Sequence, residues 1–208
     1  VKVLITGMHR SGTSMVTGIL KKCGLHLGSN LLMGARDNPT GHFEDRRFIR
    51  INERILRVNG GFWHTPPKKI RRWPMADMKA FIKSWPKNRL VGWKDPRTCI
   101  TLKGWVKALE PEPVTIVYVV RPVAEVAASL KKRNGFPEAK SKKLYWEYIR
   151  RALKNLEGLD WMATSYHSYF KDWEKELAPI LKFLGISMPK DKIKIESFIK
   201  EELWHHRK

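Results

Sequence analysis

The sequence predicts a three-layer, P-loop-like α/β fold, with a central, mostly parallel sheet flanked by helices. Three observations carry that prediction. Short apolar runs alternate with amphipathic segments, the pattern of strands that are buried on both faces and joined by crossover helices. A glycine-bounded loop, Gly7-Met8-His9-Arg10-Ser11-Gly12-Thr13-Ser14, stands between the first apolar run and the first helical pattern. The 208 residues, 42% of them hydrophobic, suffice for one well-filled core and are too few for two roomy domains, so a single domain over 1–208 is expected.

The first strand is read at 3–6, followed by the loop and a helix over 13–22. A second helix spans 45–58, where Phe48, Ile51, Ile55 and Val58 recur at helical spacing. The tract 60–86 breaks the alternation. Its Gly60-Gly61, Pro66-Pro67 and Lys68-Lys69-Ile70-Arg71-Arg72 mark turns and make it an insertion or lid candidate. Strands follow at 90–93 and 114–120, with a short helix at 102–109 between them; Val-Thr-Ile-Val-Tyr-Val-Val at 114–120 is the strongest strand signal. Pro122 suits the opening of a helix, because its missing N–H has no partner to lose there, and the pattern runs to 133. Amphipathic helices at 142–159 and 171–184 enclose a weaker strand at 161–166.

Lys and Arg number 41 against 20 Asp and Glu, a net charge of +21. That excess concentrates polyanions near the surface without choosing among them. Cys23 and Cys99 lie in apolar stretches outside any CxxC or Cys/His cluster and read as buried free thiols. No apolar run approaches the roughly 20 residues of a membrane span, and the apolar start of the chain is too short for a secretory core. A cytoplasmic protein is the expectation; the chain begins at Val1 without Met, and a leader or anchor ahead of it is compatible with the sequence.

A strand, a glycine-bounded turn and a helix in that order gather backbone N–H groups and a helix N-terminus around one point, which is an anion site. The spacing from Gly7 to Gly12 is that of GxxxxGK[ST], but Thr13 occupies the place of the lysine that reaches the β/γ-phosphates. A kinase or ATPase without that lysine loses charge on the transferred group. The nearest cation is Arg10, inside the loop. The ligand is therefore expected to be anionic and need not be a triphosphate.

These residues, and the Arg-Ser-Gly-Thr core above all, resemble the 5′-phosphosulfate loop of sulfotransferases that use 3′-phosphoadenosine-5′-phosphosulfate (PAPS). The loop is similar to those of tyrosylprotein, several carbohydrate and small bacterial sulfotransferases. The resemblance implies an enzyme that moves the sulfuryl group of PAPS to an acceptor hydroxyl. It puts Arg10 at the bridging oxygen and the transferring group, with Ser11, Gly12, Thr13 and Ser14 around the 5′ end. In the family, an Arg and a Ser eight positions apart after a central strand bind the 3′-phosphate; Arg121 and Ser129 have that spacing. Tyr166-His167-Ser168-Tyr169-Phe170 and Phe183-Leu184-Gly185-Ile186 resemble the family's Tyr-Glu-Asp-Leu strand exit and Phe-Leu-Gly helix end. His167 and Ser168 replace the usual acidic pair. The basic tract 198–208 offers His205 and Lys208 as nucleotide contacts, but is read as a solvated tail and left outside the site.

Sulfuryl transfer to a hydroxyl is an in-line displacement that needs a base, cations for the equatorial oxygens and a stabilised leaving phosphate. It demands no metal, none is expected, and no residue cluster has metal-ligand spacing. The base is sought in Asn38-Pro39-Thr40-Gly41-His42-Phe43-Glu44-Asp45, a turn into a helix that is similar to a stretch of small bacterial sulfotransferase-like proteins. Glu44 is the choice for base and Asp45 for helix cap, with capping by both as the structural alternative. His42 is the alternative base and an acceptor contact.

Trp93-Lys94-Asp95-Pro96-Arg97 leaves a predicted strand at its carboxyl end, where open α/β sheets place ligands. Lys94 resembles the Lys-Asp-Pro lysine of the tyrosylprotein enzymes and would stabilise developing charge; Arg97 would touch donor or acceptor. A local Lys94/Asp95/Arg97 salt-bridge cluster is the structural alternative. Trp63, with His64, offers a platform for a sugar or aromatic acceptor, and Lys68, Lys69, Arg71 and Arg72 offer charge to an acidic one. The acceptor itself stays open among glycan, tyrosine and small molecule, with the basic charge tilting toward an acidic or glycan partner. A P-loop kinase and a basic nucleic-acid binder are the competing readings. The aromatic residues form no RNA-recognition motif, which argues against the second.

Overall fold

In the computed structural model, which describes residues 2–32, 34, 41–196 and 198–199, the chain alternates strands and helices around one sheet. In order these are β1 (Lys2–Thr6), α1 (Thr13–Lys22), α2 (Arg46–Val58), α3 (Met75–Lys83), β2 (Val91–Lys94) and α4 (Thr98–Leu109). They continue as β3 (Val114–Val120), α5 (Val123–Asn134), α6 (Glu138–Leu156), β4 (Asp160–Ser165), α7 (Ser168–Leu184) and α8 (Ile193–Glu196). The sheet order is β2-β1-β3-β4, and every pairing is parallel. Leu4 faces Trp93 on one side and Ile116 on the other.

The period-two alternation of the strands divides the interior into two cores. On one face Leu4, Ile116 and Tyr118 join Phe48, Trp93, Trp105, Leu130 and Tyr148, which come from β2 and from α2, α4, α5 and α6. On the other face Val3, Ile5, Val117 and Val119 pack against Val16, Ile19 and Leu20 of α1 and Leu177 and Leu181 of α7. Helices thus cover both faces of the sheet, which gives the three layers. β1 is buried along its whole length, whereas Asp160 and Trp161 of the outer strand β4 are exposed. That exposure is why β4 lacks the apolar run that marks the other three strands.

Three departures from the expected elements have physical causes. The tract 60–86 contains a helix, α3, which starts after Pro74 and buries Met78 and Phe81 with Trp85 against the aromatic core. Its nine residues are too few to show periodicity beside so many turn signals. Helix α4 begins at Thr98 rather than at 102, because Thr98, Cys99, Ile100 and Thr101 are all buried and show no polar face. In α7, Asp172 leaves helical geometry (φ −156°), so a first turn from Ser168 is joined at a kink to the longer predicted helix. Among the described residues no helix is long and apolar enough to cross a membrane.

Candidate functional site

The site lies where the parallel strands end. Gly7 to Gly12 leave β1, Lys94 closes β2, Arg121 follows β3, and Tyr166 and His167 follow β4. Parallel alignment brings these exits to one edge of the sheet, the place where such sheets bind ligands.

The loop is shaped by close approach. Gly12 precedes α1 in left-handed geometry (φ 87°), and a Cβ there would stand 2.0 Å from the Tyr166 ring. A Cβ on Gly7 would stand 2.4 Å from the carbonyl oxygen of Val119. Arg10 takes φ 70°, an uncommon conformation for a residue with a Cβ. The first turn of α1 leaves its backbone N–H groups without helical partners, and no side chain caps it. Those groups, with the positive end of the helix dipole, form an anion cradle. Ser11 and Thr13 are buried in it.

On one side of the loop, Arg10 Nε donates to Ser129 Oγ at 2.8 Å, and Arg121 Nη1 donates to the Arg10 carbonyl at 3.1 Å. Arg10 thus links the two, Ser129 through its side chain and Arg121 through its carbonyl. On the other side, Lys94 Nζ donates to Ser14 Oγ at 3.0 Å and to Glu44 Oε1 at 2.6 Å. Lys94 is 1% exposed. Ser14 Oγ in turn donates to the His42 carbonyl at 3.4 Å, which ties the turn before α2 to the phosphate loop through the main chain of His42. Asp45 caps α2, accepting from the N–H groups of Arg47 and Phe48, and so leaves Glu44 to face Lys94.

Lys94 and Arg97 take different partners, so the single salt-bridge cluster weighed from the sequence is divided in two. Arg97 Nη1 donates to Asp95 Oδ1 at 2.9 Å and Nη2 to Glu53 Oε1 at 3.0 Å. Burial raises the pKa of Asp95; Arg97 opposes that rise and nearby Glu44 adds to it. Asn52 completes the arrangement. Its amide donates to Asp95 Oδ2 at 2.9 Å, and its carbonyl accepts from Thr101 Oγ1 and Trp105 Nε1 at 2.7 and 2.8 Å.

Trp63 lies with its ring centroid 4.5 Å from His9 of the loop, and Arg133 sits over the indole at 5.4 Å. The Tyr148 hydroxyl donates to the Trp63 carbonyl at 2.8 Å. His9 is buried, and its Nε2 has no hydrogen-bond partner. Desolvation, reinforced by Arg97, Arg133, Lys94 and Arg10, pushes its pKa well below the ordinary histidine value, so the ring is neutral.

Sequence reasoning assigned no role to His9, Asn52, Glu125 or His167. Asn52 carried a signal, as a polar residue on the apolar stripe of α2, and Glu125 stands at the i,i+4 position from Arg121. Among the described residues, no group of three or more His, Cys, Asp or Glu side chains is placed to hold a metal ion.

Fold and site together define an α/β protein with a glycine-bounded loop and an uncapped helix N-terminus at the carboxyl edge of a parallel sheet. No protein-family model matches the sequence, and no curated protein matches it. Solved structures do share its fold. The sulfotransferase domain from the Synechococcus PCC 7002 olefin synthase superposes with a TM-score of 0.62 at 19% identity, over 98% of this chain and 78% of that one. The sulfotransferase domain from the curacin biosynthetic pathway gives 0.59 at 12% identity, over 97% and 78%. Mouse sulfotransferase SULT7A1, complexed with PAP, gives 0.52 at 11% identity, over 95% and 64%. The chain has the sulfotransferase fold.

Proposed function

We propose that the protein is a PAPS-dependent sulfotransferase that transfers the sulfuryl group to an acceptor hydroxyl by in-line displacement. The observation that carries this reading is the pair of clusters on either side of one loop: Arg10, Arg121 and Ser129 on one, Ser14, Lys94 and Glu44 on the other. The two clusters suit an anion charged at both ends, and the sulfotransferase fold of the solved neighbours agrees with it. PAPS, when bound, supplies the activated sulfuryl group.

In this reading Arg121 and Ser129 hold the 3′-phosphate, the buried Ser11 and the N–H groups of Gly12, Thr13 and Ser14 hold the 5′ end, and Arg10, whose backbone is in the loop and whose Nε bonds Ser129, stands between the two. Lys94 supplies the cation that a P-loop carries on its own lysine and that Thr13 cannot provide. Glu44 takes the proton from the acceptor hydroxyl; its contact with Lys94 holds the carboxylate beside the loop. His42, Arg97 and Trp63 border the acceptor side. The net charge of +21 favours an acidic or glycan acceptor.

The test is a transfer assay with PAPS and a panel of glycan, tyrosyl and phenolic hydroxyls, run beside Mg-ATP. Sulfated product with PAPS alone is expected. Phosphorylated product from ATP, with no response to adenosine 3′,5′-bisphosphate, would overturn the reading in favour of a kinase.

A further inference from the structure

Arg121 is held by a relay of side chains that no motif marks. Its Nε donates to Glu125 Oε2 at 2.9 Å, one turn into α5, and the other carboxylate oxygen of Glu125 lies 2.6 Å from His167 Nε2, just past β4. The guanidinium also lies over the Tyr166 ring, 4.4 Å from its centroid, and bonds the Arg10 carbonyl at 3.1 Å. The Arg121 and Glu125 side chains are 7% and 14% exposed.

A guanidinium this buried points in one direction only as long as its carboxylate partner does. Burial works to raise the pKa of Glu125, but His167 and Arg121 outweigh it and hold the carboxyl below its ordinary range. His167 therefore touches a carboxylate that orients Arg121 from outside the loop. An acid there would repel Glu125, whereas an imidazole can donate to it.

Resting on the nucleotide reading above, we infer that His167 and Glu125 are positioning residues for the 3′-phosphate. His167 steadies the Glu125 carboxylate, Glu125 steadies the Arg121 guanidinium, and together they set the preference for a nucleotide bearing a 3′-phosphate over one bearing a 3′-hydroxyl. Neither residue has to touch the nucleotide to do this.

The experiment is calorimetric titration with adenosine 3′,5′-bisphosphate, and with adenosine 5′-monophosphate by competition. It uses the parent, His167→Ala, His167→Gln, Glu125→Ala and the Glu125→Ala/His167→Ala pair. His167→Ala is expected to weaken the bisphosphate about tenfold, on the scale of one hydrogen bond to a charged group, and to leave the monophosphate unchanged. His167→Gln, whose amide can donate to Glu125, should recover most of the loss. In the Glu125→Ala background His167→Ala should have no further effect.

Equal weakening of both nucleotides would make His167 merely structural and overturn the inference. So would unchanged bisphosphate binding, or an undiminished effect of His167→Ala in the Glu125→Ala background. Failure of the parent to bind the bisphosphate at all would instead refute the nucleotide site, and the inference would fall with it.

Discussion

Lys94 Nζ stands 2.6 Å from Glu44 Oε1 and 3.0 Å from Ser14 Oγ, so a lysine from the end of β2 reaches the first turn of α1. The Gly7 to Gly12 loop is followed by Thr13 where a P-loop has lysine, and the sheet delivers a cation from the next strand. Because Lys94 is 1% exposed and the Glu44 side chain 10% exposed, each charge depends on the other for its solvation.

Breaking that pair from one side should cost both stability and chemistry. Lys94→Met leaves Glu44 as a buried, uncompensated charge and is expected to destabilise the fold by about 3–5 kcal/mol. Glu44→Gln should lower turnover by about 10²–10⁴ while leaving nucleotide affinity nearly unchanged. The double variant Glu44→Gln/Lys94→Met should regain stability relative to Lys94→Met but no activity. Urea unfolding together with single-turnover transfer separates these effects.

Gly12→Ala should be among the most damaging single substitutions. The added methyl would meet Tyr166 at 2.0 Å, and alanine pays a further cost at φ 87°. We expect a loss of about 2 kcal/mol or more in thermal unfolding, with loss of nucleotide binding. Tyr166→Ala in that background should restore stability only in part, because the backbone strain remains.

Asn52 satisfies three buried groups at once, so its removal should be felt far from the loop. Asn52→Ala leaves Asp95, Thr101 and Trp105 each short of a partner. The expected cost is at least about 2 kcal/mol by denaturant titration. With Asp95 less firmly held, Arg97 loses its anchor and the KM for the acceptor should rise more than kcat falls.

His9 should make stability depend on pH in a defined direction. Its folded pKa lies below the unfolded value of about 6.5, so the unfolded chain binds the extra proton. The contribution is fully present above about pH 6.5 and is lost as the pH falls below it. Unfolding measured from pH 8 down to 5 should therefore lose less stability in His9→Asn than in the parent. The His9 ring resonances should stay flat over the same range; a midpoint near 6.5 would contradict the burial argument.

Most of the fold could be read from residue order because parallel strands buried on both faces announce themselves as apolar runs. β3 and α1 coincide with the segments read from the sequence, 114–120 and 13–22. α3 could not be read, since its burial depends on aromatic partners such as Trp93 and Trp105 that lie distant in the chain. In the site, the loop motif and the family resemblance pointed to Arg10, Lys94, Arg121 and Ser129, but the pairings were invisible. That Lys94 would choose Glu44 over Asp95, and that Arg121 would share Glu125 with His167, depends on which strand exits lie side by side. His9 was hidden for a related reason: its neutrality is set by burial and then by four cations brought in from the loop itself, the end of β2, the β2–α4 turn and α5.

The central claim is that the Gly7 to Gly12 loop and Arg121 bind the two ends of one nucleotide. Calorimetric titration of the parent and Arg121→Ala with adenosine 3′,5′-bisphosphate tests it most directly. The account predicts saturable binding by the parent and a loss of about a hundredfold in the variant, the scale of a charge-assisted contact to phosphate. No heat of binding from the parent, or equal affinity in the two proteins, would contradict it.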